Sequence, residues 1–290
     1  MNSIQVNGAS LAYTIDGEGQ PIILVHSNIS DIRTWDTLKP LLVSGGKKII
    51  TIARRFHYPN EPIADNQDDP WLSQVEDLAK FIEVLGIGKA HIVGISSSAY
   101  CALLLAKKYP HLVKSLVVEE PPVIPLFFPV LPPTLPALIK NLFTNPSATI
   151  SILKFGIKYL EPALSAFRKG EDKLGLESFA KGVYGRAFSK LTNAQLERME
   201  LNLKPHKAAL LGSGLPPFTP QDAQSIKCPT LILTSEMAAD FHISINKRLK
   251  ALIPNSVLRT IPQAGHFMHE DNPAETAKQI LKFIEGITEK

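Results

Sequence analysis

Apolar runs alternate with amphipathic stretches along most of the chain. Unbroken or period-2 apolar runs near 3–6, 10–15, 21–26, 48–53, 90–95, 113–119, 229–234 and 256–261 predict strands. Apolar positions three and four apart near 34–43, 71–86, 98–109, 242–253 and 272–287 predict helices. The first two strands, joined at Asn7-Gly8, form an antiparallel hairpin at one edge. The other runs alternate with amphipathic helices, as in a mostly parallel sheet covered on both faces. The expected fold class is α/β, an eight-stranded mostly parallel sheet flanked by helices.

The alternation breaks at Pro121 and resumes near Cys228. Residues 121–139 are nineteen in a row without a charge, enough to span a membrane if helical. Seven prolines fall between Pro121 and Pro136, and each costs a helix interior about 3 kcal/mol, so no stable membrane insertion is expected. The stretch reads instead as an extended entry into a cap, with helical segments near 148–160, 162–169, 174–182 and 192–201. This divides the chain into a core, 1–120 with 226–290, and a cap insertion, 121–225. Phe127, Phe128, Leu131, Leu135, Phe143 and Phe155 would wall a substrate pocket or fill the cap's own small core.

A chain of 290 residues with 44% hydrophobic content buries a sizeable core in one large domain. A net charge of +4, with scattered Lys and Arg, gives nucleic acid no binding surface. Cys101 and Cys228 read as two thiols, not a disulfide. Residues 1–8 lack the basic and apolar regions of a secretory signal, which makes a cytoplasmic location the expectation. The absence of G-x-G-x-x-G after a strand argues against a dinucleotide cofactor, and no cofactor is expected.

Chemistry enters at His91-Ile92-Val93-Gly94-Ile95-Ser96-Ser97-Ser98, an apolar strand running into a serine among small residues and then into a helix. A sharp strand-to-helix turn of this kind exposes the serine hydroxyl and puts the next N–H at a helix N-terminus. A free hydroxyl is a poor nucleophile at neutral pH, so Ser96 requires a base. His266, on the loop after the last strand, is the candidate. His91, His111, His206 and His242 read as surface residues. His57 and Tyr58 fall on the loop after the fourth strand. The spacing of His266, His269 and Glu270 matches no common zinc signature, and no metal is expected.

With these residues placed, the chain resembles the α/β-hydrolases over nearly its whole length. The family's H-G-x-x-x-S-x-x-x-x-W loop is similar to His26-Ser27-Asn28-Ile29-Ser30-Asp31 with Trp35. Its G-x-S-x-G corresponds to Gly94 to Ser98, and its final G-H to Gly265-His266. The resemblance implies an oxyanion hole from the N–H groups of Ser97 and Asn28, with Ser27, Ile95, His57, Tyr58 and Phe267 bordering the substrate. Trp35 would pack beneath the loop. Ser27 and Ser98 stand where the family has glycine, and a positive φ at Ser27 would cost about 1–2 kcal/mol.

The family's usual acid position, in the turn after the seventh strand, is Ala238 here. Asp240 lies two residues further on, and Glu119-Glu120 close the sixth strand, where some lipase-like members carry their acid. Alternation points these two glutamates to opposite sides, so only one faces the histidine. Glu120 is preferred, Asp240 is the alternative, and Glu119 and Glu236 remain open.

The resemblance implies a serine hydrolase, carboxylesterase-like, cleaving a small, largely apolar ester or lactone, with that molecule as partner and the chain a monomer or homodimer. Two alternatives stand: a lyase, cyclase or cofactor-free oxygenase using His266 as general base, and a ligand-binding receptor with a vestigial triad. Dehalogenases and epoxide hydrolases, which carry aspartate at the Ser96 position, are disfavoured.

Overall fold

A computed structural model describes residues 1–65 and 67–288. The strands are β1 (Asn2–Val6), β2 (Ala9–Asp16), β3 (Gln20–Val25), β4 (Lys47–Ile52), β5 (Ala90–Ile95), β6 (Val113–Glu119), β7 (Thr230–Ser235) and β8 (Ser256–Ile261). They form one sheet in the order β1-β2-β4-β3-β5-β6-β7-β8. β2 runs antiparallel to β1 and β4, and every other neighbouring pair is parallel. β5 and β7 are buried at every position, which is why they read as unbroken apolar runs.

Alternate residues of β3 enter two cores. Ile23 and Val25 pack with the helices Trp71–Leu85, Ser97–Lys108 and Asp240–Leu252. Ile22 and Leu24 pack on the other face with Trp35, Leu42 and Ile280, beside the helices Lys39–Ser44 and Pro273–Thr288. The helix expected over 34–43 is broken into a short turn, Ile32–Trp35, and Lys39–Ser44, with Pro40 in the first turn of the second piece.

Between β6 and β7 the chain is helical from Leu135 to Leu211 with short breaks, followed by Pro220–Ser225. The extended entry is shorter than expected. A helix already begins at Leu135, because Pro136 falls in its first turn, where no backbone donor is lost. The helix Leu203–Leu211 was not anticipated. Leu135 and Phe143, expected as pocket walls, are 68% and 85% exposed. Among the described residues no helix is long and apolar enough to cross a membrane.

Candidate active site

Ser96 sits between the end of β5 and the helix Ser97–Lys108 with φ 54° and ψ −118°, a strained conformation for any residue with a Cβ. The turn is tight enough to require Gly94, where a Cβ would lie 2.8 Å from the backbone of Ser98 and Ala99. Ser98 fits in place of the second glycine because its hydroxyl serves backbone groups. It lies 2.5 Å from Val25 O and 2.9 Å from Ile95 O, and accepts from Ile95 N at 2.9 Å. The elbow is thereby fastened to β3.

Glu120 follows β6, the strand next to β5, where Glu119 pairs with Ile95. Its own backbone is left-handed, φ 46°. His266 Nδ1 lies 2.7 Å from Glu120 Oε2, while Ser235 donates to Oε1 from both its N–H and its hydroxyl at 2.7 Å. Burial alone would raise the Glu120 carboxyl. The hydrogen bond from His266, the neighbouring imidazoles and the Ser235 N–H outweigh it and hold the carboxyl below its ordinary value. Glu119 points the other way and takes His269 Nδ1 at 2.7 Å, and His269 Nε2 meets Thr34 Oγ1 at 2.8 Å. Asp240 is exposed at the start of its helix, and Glu236 accepts from Gln263 N; neither is hydrogen-bonded to His266.

Ser96 and Glu120 stand at the carboxyl ends of adjacent strands, about 4.8 Å apart, with Ser96 N donating to Glu119 O at 2.7 Å, and His266 reaches Glu120 from the loop after β8. Among the described residues no hydrogen bond joins Ser96 Oγ to His266. The imidazole is held instead by Glu120, by the edge of Tyr184 at 5.4 Å and by the face of His242 at 4.8 Å. Glu120, His242 and His266 carry ligand-type atoms within 4.8 Å of one another. The two rings are stacked 19° from parallel, so their in-plane lone pairs do not converge on one point.

On the other side of Ser96, the Asn28 N–H expected to face the cavity donates to Ser97 Oγ at 2.9 Å, and Arg54 donates to the same oxygen at 2.9 Å. Arg54 is buried and also bonds Gln74. Ser27 has no left-handed φ, so the strain considered for a serine there does not arise. Trp35 is fully buried with its ring 4.2 Å from that of His269, beneath the loop as expected.

A cavity of about 450 Å³ lies over Ser96, walled by the sheet ends below and the helical insertion above. Phe128, Leu131 and Phe155 line it, and Asn28 and Ser97 reach it. Six other expected pocket residues do not. Ser27, Ile95 and Phe127 are buried in the packing below. Phe267 packs on Tyr184 and His269. His57 is turned inward, bonding Asn28 O at 3.1 Å and Arg55 O at 2.8 Å, and Tyr58 faces outward under Arg33. Three of the four histidines read as surface residues are buried, and only His111 is exposed. His91 bonds Ser115 inside the sheet, and His206 and His242 line the cavity. Their signal was absent from the sequence, because a helical histidine is polar whether it faces solvent or a cavity.

Residues 22–279 match the alpha/beta hydrolase family. Over 95% of both chains the protein is 22% identical to a putative 2-succinyl-6-hydroxy-2,4-cyclohexadiene-1-carboxylate synthase of Bacillus subtilis. It is 26% identical to an sn-1-specific diacylglycerol lipase of Danio rerio, over 95% of this chain and 83% of the lipase. The fold superposes on a thermophilic esterase from Thermogutta terrifontis with a TM-score of 0.76, covering 99% of each chain at 19% identity.

Proposed function

The chain belongs to the alpha/beta hydrolase family, and on that premise we propose that it is a serine hydrolase cleaving small, largely apolar carboxylic esters or lactones through an acyl-enzyme. The observation that carries the reading is the Glu120–His266 hydrogen bond at the end of β6, the strand next to the one that ends in the Ser96 elbow. With Nδ1–H held by Glu120, the Nε2 lone pair is free to take the Ser96 proton as Oγ attacks the ester carbonyl. The same nitrogen returns the proton to the leaving alcohol, then draws one from the water that releases the acid. Backbone N–H groups of Ser97 and Asn28 would hold the oxyanion, the second once an entering carbonyl oxygen takes over the bond it now gives Ser97 Oγ. The lipase among the relatives is named for ester hydrolysis, in keeping with this chemistry.

A second reading, a lyase or cyclase using His266 as general base, is favoured by that engaged Asn28 N–H and by the synthase among the relatives. A fluorophosphonate separates the two. Stoichiometric labelling at Ser96, abolished in Ser96→Ala, together with turnover of p-nitrophenyl esters, is expected. A wild-type protein that neither labels nor turns over esters overturns the hydrolase.

A further inference from the structure

The cavity is apolar except at a few points, and two of those are imidazoles with no protein partner. Both ring nitrogens of His206, and both of His242, are buried without a hydrogen bond among the described residues. His242 lies against the His266 ring, so its surroundings are those of the reacting groups. His206 is different. It hangs from the helix Leu203–Leu211 of the insertion, is 1% exposed, and is clamped by aromatic edges, Phe179 at 4.5 Å and Phe167 at 6.1 Å.

We propose that His206 is a specificity-determining residue whose ring nitrogens hydrogen-bond an uncharged oxygen function, a keto or hydroxyl group, carried on the chain of an otherwise apolar substrate. A buried polar group without a partner is costly, and its aromatic neighbours offer neither donor nor acceptor strong enough to offset it. A ligand that supplies the partner recovers that cost, whereas a plain alkyl chain seals the group off unpaired. Sites of this construction reject the analogue that lacks the oxygen. Burial, with Arg54 and His57 nearby, lowers the His206 pKa to about 3. At neutral pH the ring is therefore one donor and one acceptor without charge, the complement of a ketone or alcohol and a poor match for a carboxylate.

The inference deepens the hydrolase reading for its turnover arm and stands apart from it in its binding arm. p-Nitrophenyl hexanoate is compared with the 3-, 4- and 5-oxohexanoates in kcat/KM, and the corresponding hexanamides are compared in Kd by calorimetry. One oxo position is expected to be preferred about tenfold or more over the plain chain in both measurements. The preference falls below about twofold in His206→Leu and is partly kept in His206→Gln, with folding of both checked by thermal melts. Should no oxo position be preferred by the wild type, or should the preference survive His206→Leu, the proposal is overturned. Preferential amide binding without any ester turnover or Ser96 labelling would instead overturn the hydrolase reading and leave the His206 site standing.

Discussion

Glu119 and Glu120 show how much one backbone step decides. They are consecutive, both buried, and each holds the Nδ1 of a different histidine beyond β8, His266 in the loop and His269 three residues on in the short helix Met268–Asp271. Glu120→Gln replaces an acceptor by an amide that no longer fixes the His266 tautomer, and kcat for p-nitrophenyl esters is expected to fall about 10³-fold or more with little change in KM. A drop of less than tenfold, measured in steady state, would remove Glu120 from the mechanism. Ser97→Ala acts on stability first. It strips an acceptor from the buried Arg54 guanidinium and from Asn28 N–H, and urea titration should show a loss of about 1–3 kcal/mol. Ser96 and His266 were proposed from a small-residue turn and from chain order, alternation allowed only one of Glu119 and Glu120 to face the histidine, and the preference for Glu120 rested on the resemblance to lipase-like members. His206 and His242 were not, since their burial is decided by helices distant in sequence that close over them.

At the scale of elements, the central strands were readable because burial on both faces keeps them mostly apolar, and the edge pair β1 and β2 because a short Asn7-Gly8 turn joins them. The helix Leu203–Leu211 escaped notice for the opposite reason: Lys204, Pro205, His206 and Lys207 fill its first half and hide the apolar period. What ties the insertion to the core is also polar. Arg198 forks onto Glu270, which accepts from Thr34, and Asn202 donates to buried Asp31 at 3.0 Å while accepting from Tyr58 N at 3.0 Å. Such links fix orientation more than they add stability, and cutting one side strands the other charge. Arg198→Met should therefore loosen the helix Asn193–Leu201 on the core. Faster amide exchange in that helix and a KM raised more than kcat is lowered are the expected results. Unchanged exchange would mean that apolar contacts alone seat the insertion.

For the whole molecule, five buried histidines make acid the sensitive side. Burial lowers His26, His206 and His242 to about 3, His91 to about 4 and His57 well below its ordinary value of 6.5. The unfolded chain binds protons there that the folded one refuses, so stability is lost as pH falls from about 6.5 toward these values. Each such histidine contributes up to about 1.4 kcal/mol per pH unit in that window. His91→Gln, away from the cavity, should flatten the difference between urea unfolding at pH 7 and at pH 5.5 by roughly that amount. An identical acid dependence in the variant would show that His91 does not contribute.

The paired glutamates at the end of β6 carry one more consequence. Since neighbouring side chains on a strand face opposite ways, deleting any single residue from Val113 to Val118 would turn both carboxylates over together. His266 would lose its anchor in the same event that unseats His269 and the Thr34 loop beneath it. This stretch is therefore intolerant of length change even where it accepts exchange of one aliphatic residue for another, and a one-residue frame slip there would silence the centre while removing no member of it.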